Sequence, residues 1–346
     1  MFNKVKYSFL KGRLKKPIYL IFFVTGKCNG SCRHCFYHQQ LNSSVEDLSL
    51  AEIDAFSRTM GKLVWLSYSG GEPFLRDDLY ETYRIFVKNN AVDHIAIPTN
   101  GILTDRISDV CRQILKDDRV GSLTLNLSLD GPREIHEKTR GTGTYDHLLR
   151  TYNTLVPLKK RYKKFSIMVA TILTRQNFAS ISRLDEQVRT QMPEVDYHNF
   201  EIARGLPPDN GFTAPETKAL RQIRKTIFEV WERYHYYASP LQARIADRAK
   251  KILYDQYLDV LEGGALPWPC LAGNVHAVVD YKGDVFFCES LPPLGNLRTQ
   301  SFTDIWRSDK ANALRSKVKN NCSCCHSCFQ ITNLTFHHKY WPRLII

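Results

Sequence analysis

The ten cysteines of this sequence are the side chains whose type and spacing most clearly predict chemistry. Cys28, Cys32 and Cys35 form a Cys-x3-Cys-x2-Cys pattern, and six other cysteines lie between positions 270 and 328. Because cytosolic thiols are kept reduced, such groups serve as metal ligands or catalytic thiols more often than as disulfides. Three thiolates leave one iron of a four-iron cluster open to a substrate or cofactor. His38 would instead complete a Cys3His zinc site, so the spacing alone leaves both interpretations open.

Alternating strands and helices are predicted to hold these residues in place. Short apolar runs rich in β-branched and aromatic residues predict strands at 19–24, 63–68, 94–98, 123–129, 165–173 and 197–202. Segments with helical spacing lie between most of them, at 50–61, 79–88, 106–116, 145–162 and 179–188. This alternation predicts an α/β fold with a parallel sheet and right-handed crossovers.

Polar or glycine-rich motifs follow most of the predicted strands. The cysteine loop follows the first strand, Gly70-Gly71-Glu72 the second, Asn100 the third, Asp130 the fourth and Arg204 the sixth. The loops after the strands of a barrel-like parallel sheet open on one face, which is where such folds place their active sites. We therefore expect these separated motifs to converge on one pocket.

The composition is that of a globular protein with a large core, since 43% of the 346 residues are hydrophobic and 24% are charged. No run approaches the roughly 20 apolar residues of a membrane-spanning helix, so we expect a cytoplasmic protein without a transmembrane segment. The formal net charge is +13, but Lys and Arg are spread along the chain. This dispersion argues against a nucleic-acid partner and leaves an anionic small molecule, an acidic peptide or an anionic membrane surface.

Three motifs in this order resemble a radical S-adenosylmethionine (SAM) enzyme: the cysteine loop, Gly70-Gly71-Glu72-Pro73 and Ser128-Leu129-Asp130-Gly131. The matching region extends over about residues 19–205. The resemblance implies a partial (β/α)6 TIM-like barrel, with a [4Fe-4S] cluster on Cys28, Cys32 and Cys35 and SAM chelated to the open iron. It also implies that one electron, from a donor such as flavodoxin or ferredoxin, cleaves SAM to methionine and a 5′-deoxyadenosyl radical, which abstracts a substrate hydrogen.

The resemblance also assigns residues to SAM binding. Glu72 and the backbone of the two glycines before it are expected at the ammonium group, Ser128 and Asp130 at the ribose or carboxylate, and an aromatic ring near the adenine. The full set is Tyr37, Gly70, Gly71, Glu72, Asn100, Ser128, Asp130, Arg140 and Arg204. Structural alternatives stay open, because Asn before Gly suits a plain turn and Arg140 suits a solvated helix.

A second cysteine pattern begins at Cys270, which is followed by twelve residues, Gly283, four residues and Cys288. This resembles the start of the SPASM and Twitch extensions, which carry auxiliary iron–sulfur clusters. The sequence 274–287 predicts a hairpin, with its turn at 280–284, that brings the two cysteines together. We therefore predict a small cysteine-rich C-terminal domain.

Cys322, Cys325 and Cys328 are the candidates to complete the auxiliary site. The pairs Cys322/Cys325 and Cys325/Cys328 both have the x2 spacing that bridges one cluster, and which of the four cysteines at 322–328 bind stays open. Cys324 is adjacent to Cys325 and is expected to point elsewhere. Six cysteines favour one fully ligated auxiliary [4Fe-4S] cluster, because a second one would need non-cysteine or open coordination. A zinc ribbon is the alternative for this region. Cys111 lies in an amphipathic segment and is predicted to be a core residue.

The predicted organisation has four parts: a basic segment (1–18), the radical SAM barrel (19–210), a helical connector (211–262) and an auxiliary cluster domain (263–346). The large aromatic side chains of the connector predict helix–helix packing. For function, we expect an oxidoreductase-type radical SAM enzyme that oxidises or modifies a peptide or protein. The alternatives are a dehydrogenase or epimerase of a small molecule, such as an aminocyclitol, sugar or nucleotide, and a zinc-binding nucleic-acid module.

Overall fold

The computed structural model describes residues 16–234 and 240–345. Six strands lie where the apolar runs predict them, and neighbouring strands pair in parallel. They are β1 (Tyr19–Thr25), β2 (Trp65–Gly70), β3 (His94–Thr99), β4 (Ser122–Ser128), β5 (Phe165–Leu173) and β6 (Tyr197–Ile202). The six predicted strands are therefore confirmed.

The sheet is open rather than closed. Its order is β6-β5-β4-β3-β2-β1, and three later strands continue it beyond β1. Within the described residues, β6 ends the sheet and does not pair with β1. Central strands are buried on both faces, as in β3, where Ile95, Ala96 and Ile97 are successive buried residues. The predicted α/β fold with a partial barrel is confirmed.

Helices alternate with these strands. They are α1 (Leu50–Thr59), α2 (Leu79–Asn90), α3 (Thr104–Leu115), α4 (Arg133–Arg140), α5 (Thr144–Arg161) and α6 (Ile181–Gln191). Ser49 and Glu52 form a capping box at the start of α1, which satisfies two backbone donors. Cys111 in α3 is fully buried among apolar side chains, so its prediction as a core residue is confirmed.

Two long helices follow the barrel, α7 (Thr217–Glu232) and α8 (Pro240–Leu261). Aromatic rings fill their interface: the Phe228 and Trp231 rings stack at 5.8 Å, and Tyr254 contacts Phe228 edge-on at 5.8 Å. The Tyr254 hydroxyl donates to the Leu220 carbonyl at 2.9 Å. This confirms helix–helix packing as the role of these aromatic residues.

The C-terminal region begins with the predicted hairpin, in which β7 (His276–Val279) and β8 (Asp284–Phe286) pair antiparallel. Sequence reasoning did not anticipate that β7 also pairs in parallel with β1 and so continues the barrel sheet. The remaining elements are β9 (Gly295–Asn296), α9 (Phe302–Arg307), α10 (Asp309–Asn321), α11 (Ser327–Phe336) and α12 (Trp341–Ile345). Because the sheet is continuous across residue 263, the four-part division of the chain stays a prediction.

The turn of this hairpin is tied to the segment that follows the three-cysteine loop. Tyr281 is fully buried, and its hydroxyl lies 2.7 Å from both the Gln40 carbonyl and the Ser43 hydroxyl. The hairpin is thereby placed beside the first cysteine group. Separately, none of the helices in the described part of the chain combines the length and the apolarity needed to cross a membrane.

Candidate functional site

The three-cysteine loop follows β1 and is held by hydrogen bonds at Cys28 and at Arg33. Asn42 brackets the first cysteine, since its Oδ1 accepts from the Cys28 amide at 2.9 Å and its Nδ2 donates to the Cys28 carbonyl at 3.0 Å. Farther along, the Arg33 amide donates to the Thr139 carbonyl of α4 at 2.9 Å. Burial raises the pKa of the Cys28 thiol to about 11 and also raises that of Cys32. Metal binding must therefore displace protons from these thiols.

The glycine–glutamate loop after β2 is hydrogen-bonded to the first residues of the cysteine loop. The Gly71 amide donates to the Thr25 carbonyl and the Glu72 amide to the Lys27 carbonyl, both at 2.9 Å. A Cβ on Gly71 would lie 2.0 Å from the Lys27 carbonyl oxygen, so only glycine fits this approach. Gly70 has a φ of +111°, a conformation that other residues rarely adopt. The predicted proximity of the two motifs is therefore confirmed.

The Glu72 carboxylate is buried and accepts hydrogen bonds from the protein itself. One oxygen accepts from the Thr99 hydroxyl at 2.9 Å and the Phe74 amide at 3.3 Å, and the other from the Asn100 amide at 2.8 Å. Burial raises the pKa of Glu72 to about 7, against the opposing effect of these hydrogen bonds. Glu72 thus holds the ends of β2 and β3 together, and its contact with the SAM ammonium group stays a prediction.

Asn100, at the end of β3, faces the cysteine loop directly. Its Nδ2 donates to the Asn29 side-chain oxygen at 2.8 Å, while its own Oδ1 accepts from the Ile102 amide at 3.0 Å. Asn29 lies between the first two cysteines and was not singled out from the sequence. The Asn-Gly pair therefore makes a turn and also contacts the metal loop.

Asp130 and Arg140 form a buried ion pair against the cysteine loop. Arg140 Nε donates to Asp130 Oδ2 at 2.5 Å, and Arg140 Nη1 donates to Cys32 Sγ at 3.5 Å. His34 Nε2 lies 3.1 Å from the same carboxylate oxygen, and its side chain is only 5% exposed. Sequence reasoning missed His34, although its position between two cysteines was the available signal. His136 is also buried, and its Nδ1 accepts from the Asp130 amide at 3.2 Å.

The other predicted SAM residues lie at the same edge of the sheet but in different surroundings. Ser128 is the half-buried last residue of β4. The Tyr37 ring packs on Phe23 with its centroid 4.7 Å away. Arg204 lies over the Phe36 ring at 4.3 Å and donates to Glu289 at 2.9 Å, so it links the cysteine loop to the C-terminal region. Their SAM contacts stay predictions.

The six C-terminal cysteines lie in two segments that the fold brings together. Cys270 is buried and hydrogen-bonded to Cys322, which in turn contacts Cys324, and these bonds lower the pKa of the Cys270 and Cys324 thiols. Gln330 Nε2 also donates to Cys324 Sγ at 3.3 Å. The expectation that Cys324 points elsewhere is therefore wrong. The backbone at Cys322 is extended and no turn follows before α11, so Cys322 and Cys324, two residues apart, face the same side, and Cys324 lies against Cys322 and Gln330.

The remaining three thiols surround this group less closely. Cys325 Sγ donates to the Tyr257 carbonyl at 3.7 Å. Cys288 is buried beside Glu289, and that carboxylate contacts the imidazole of His326. Cys328 is exposed. All five predicted auxiliary ligands thus come from the two converging segments, and their ligation stays a prediction.

The cysteine loop after β1 fits a four-iron cluster. The Cys28 and Cys32 sulfurs lie on the same side of Gly30, each 3.7 Å from the position of a Cβ there, and the charges of Cys32 and Cys35 both act on Cys28, so the three thiols lie close together. Three thiolates with a permanent cation beside one of them match the anionic cluster that such a loop would hold. His38 Nδ1 lies 3.0 Å from the Cys35 carbonyl, and this contact turns that ring nitrogen to the backbone.

Comparison with known proteins agrees with this geometry. Residues 22–184 match the model of the radical SAM superfamily, and residues 270–329 match that of an iron–sulfur cluster-binding domain, SPASM. An AdoMet-dependent heme synthase of Methanosarcina barkeri is 27% identical, with 89% of this chain and 88% of that protein covered. The mycofactocin maturase MftC of Mycobacterium tuberculosis is also 27% identical, over 80% of this chain and 65% of that protein.

Two solved structures share the fold. The structure of anSMEcpe with bound AdoMet superposes with a TM-score of 0.61 at 17% identity, covering 95% of this chain and 98% of that one. Streptococcus suis SuiB bound to S-adenosylmethionine gives 0.63 at 14% identity, covering 91% and 71%. At these identities the likeness shows the fold alone. The two family matches agree with the convergence of the cysteine, glycine and arginine loops. The chain is therefore a radical SAM enzyme with a C-terminal SPASM domain, which binds SAM on a [4Fe-4S] cluster and carries auxiliary iron–sulfur clusters.

Proposed function

We propose that the chain abstracts a hydrogen atom from a peptide or protein and so oxidises or modifies it. The observation that supports this reaction type is the convergence of the ends of β1, β2, β3 and β4 around Cys28, Cys32 and Cys35. A [4Fe-4S] cluster held by these three cysteines would supply the electron for the reductive cleavage of SAM, which is the source of the hydrogen-abstracting species. The electron donor is proposed to be a small one-electron carrier of the flavodoxin or ferredoxin type, in the cytoplasm.

The protein's own residues orient and shield this chemistry. Glu72 holds the ends of β2 and β3 so that the carbonyls of Gly70 and Gly71 can accept from the SAM ammonium group. Arg140, fixed by Asp130, is proposed to pair with the SAM carboxylate, Ser128 to bind the ribose and Tyr37 to lie near the adenine. Glu72 and Asp130 are almost inaccessible to solvent, so their carboxylates act by positioning the groups to which they are hydrogen-bonded.

The auxiliary site is proposed to hold one fully ligated [4Fe-4S] cluster. Its ligands are proposed from Cys270, Cys288, Cys322, Cys325 and Cys328, and Cys324 joins them as a candidate because its thiol lies against Cys322. A cluster with four protein thiolates has no open iron, so it suits one-electron transfer from the substrate radical. A second cluster, for which fewer thiolates remain, would have an open position suited to substrate binding.

Relatives of two kinds bear on the substrate class. MftC is named a maturase, and SuiB, which shares the fold, is known bound to the precursor peptide SuiA, so both favour a peptide. The heme synthase, which matches this chain over nearly its whole length, favours a small molecule and is the reason for retaining that class as the second candidate. The two classes can be distinguished in solution, because the formation of 5′-deoxyadenosine can be measured with either class of substrate added.

The first experiment tests the cluster and the cleavage of SAM. Anaerobically reconstituted wild type, the Cys28/Cys32/Cys35→Ala triple variant and a Cys111→Ala control are assayed for iron, sulfide and 5′-deoxyadenosine under dithionite. The triple variant should lose about four irons and all SAM cleavage but keep the iron bound by the C-terminal cysteines, which are unchanged. The Cys111→Ala control should keep the iron of the wild type, because Cys111 is a core residue. Unchanged iron in the triple variant contradicts the assignment.

The second experiment separates the substrate classes. The rate of 5′-deoxyadenosine formation is measured with a small-peptide fraction of a cell extract and, in parallel, with an iron porphyrin, the class of molecule that the name of the heme synthase indicates. Stimulation by the peptide fraction, lost after protease treatment of that fraction, supports a peptide substrate. Stimulation by the porphyrin alone supports the small-molecule alternative and overturns the peptide proposal.

A further inference from the structure

Arg140 occupies an unusual place because one guanidinium group contacts both a buried carboxylate and a predicted cluster ligand. Its Nε donates to Asp130 Oδ2 at 2.5 Å, and its Nη1 donates to Cys32 Sγ at 3.5 Å. The guanidinium is planar, so fixing one edge of it on Asp130 also fixes the direction of the Nη1 hydrogen toward the sulfur. The contact with sulfur is thus built into the ion pair.

Asp130 is itself held rigidly. Its side chain is fully buried, Oδ1 accepts from the Ile172 amide of β5 at 2.9 Å, and Oδ2 lies 3.1 Å from His34 Nε2. Arg140 is the last residue of α4, and its side chain is only 10% exposed. The carboxylate is therefore a fixed anchor, and water has little access to screen the arginine charge from the sulfur.

The ion pair is neutral as a whole, yet its positive end faces the sulfur. Arg140 Nη1 lies 3.5 Å from Cys32 Sγ, whereas Asp130 holds the same guanidinium through Nε. One-electron reduction adds a negative charge to a cluster, and hydrogen bonds to its sulfurs together with nearby charge set its reduction potential.

We propose that Arg140, aimed by Asp130, donates a hydrogen bond to the Cys32 thiolate and thereby raises the reduction potential of the cluster on Cys28, Cys32 and Cys35. The electron comes from an external one-electron donor, and no bond of the protein forms or breaks. This inference rests on the proposed function only in requiring that the cluster is bound at these cysteines. It makes Arg140 a tuning residue for reduction, in addition to its predicted contact with SAM, and Asp130 a positioning residue.

The test is an EPR-monitored redox titration of the reconstituted full chain in the absence of SAM and substrate. The signal that changes when SAM is added afterwards identifies the cluster of the three-cysteine loop, and the remaining signal identifies the auxiliary centre. Arg140→Gln should shift the midpoint potential of the first signal to more negative values and leave the second unchanged. Arg133→Gln is the matched control, since Arg133 lies on the same helix but is exposed and pairs with Asp146.

The results divide cleanly. An Arg140→Gln protein with full iron content and the potential of the Arg133→Gln control overturns the proposal, as does an equal shift of both signals. If Arg140→Gln fails to retain iron, Arg140→Lys decides, because lysine keeps the charge but has a single nitrogen for two partners. A lowered potential of the first signal in Arg140→Lys supports the proposal, and an unchanged one overturns it. If the wild type holds the cluster but does not cleave SAM, the proposed function is wrong, and the comparison of midpoint potentials still stands.

Discussion

Replacing Gly71 by alanine is the most direct test of the junction between the glycine–glutamate loop and the cysteine loop. The added Cβ would lie 2.0 Å from the Lys27 carbonyl oxygen and 3.1 Å from the Cys28 Cβ, whereas ordinary contacts begin near 3.4 Å. The obstacle is backbone rather than a flexible side chain, so the Lys27 carbonyl must move by at least about 1 Å. That movement displaces the adjoining Cys28.

The cost follows from two terms. Overpacking of a buried site costs about 1–3 kcal/mol. The same movement breaks the bond from the Glu72 amide to the Lys27 carbonyl, now 2.9 Å long, at a further cost of about 1 kcal/mol. We therefore expect Gly71→Ala to lower the free energy of unfolding by roughly 2–4 kcal/mol and to reduce iron binding at the first site.

The assay is urea unfolding of the reduced, metal-free chain together with iron counting after reconstitution. Gly61→Ala serves as the control, because a Cβ there meets only the Lys16 side chain, at 3.8 Å or more. Its stability should change by less than about 0.5 kcal/mol, with wild-type iron content. If Gly71→Ala matches Gly61→Ala in both measurements, the loops are not packed as described and the reasoning fails.

Three other expectations follow from the same site. Burial raises the pKa of Glu72 from 4.5 to about 7, so the folded chain binds a proton that the unfolded chain releases, and stability should fall by on the order of 3 kcal/mol as pH rises through that window. Urea unfolding of Glu72→Gln should lack this slope, and a retained slope contradicts the assignment. Cys324→Ala should reduce the iron of the auxiliary centre relative to Cys111→Ala, whereas equal iron in the two variants excludes Cys324 as a ligand. Glu289→Gln should speed amide hydrogen exchange at residues 322–328, and adding Arg204→Gln should speed it little further; additive effects would show that the two side chains act separately.

The barrel and the place of its site were predictable because both depend on local patterns. Runs such as Phe165–Leu173 alternate between fully and partly buried residues, and the parallel arrangement then directs every following loop to one edge. The convergence of the cysteine loop with Gly71 and Asn100 needed no further information. Helix–helix packing at Phe228 was likewise legible from its spacing.

The contacts that were missed depend on residues far apart in the chain. The pairing of β7 with β1 joins segments separated by the whole barrel, and no local pattern distinguishes β7 from a free hairpin strand. His34 was passed over because its partner, Asp130, comes near only after the sheet forms. Cys324 was misjudged because only its neighbour Cys325 was considered. The backbone at Cys322 is extended, so Cys324 faces the same side as Cys322, two residues before it.

The pairing of β7 with β1 also explains how two cysteine groups remote in sequence keep a fixed relation in this fold. Glu289, which follows Cys288, meets Arg204 at 2.9 Å, and its carboxylate also contacts His326. Glu289 and His326 are largely buried, so removing Glu289 would leave the His326 imidazole without its carboxylate, at a cost of about 3–5 kcal/mol for a fully buried pair. Arg204, by contrast, would keep Glu201 at 3.6 Å. Arg204 in turn lies over Phe36, which directly follows Cys35. The contacts run from Phe36 through Arg204 and Glu289 to His326. A substitution at any of these four residues should therefore alter the surroundings of both cysteine groups, although none of the four is a cysteine.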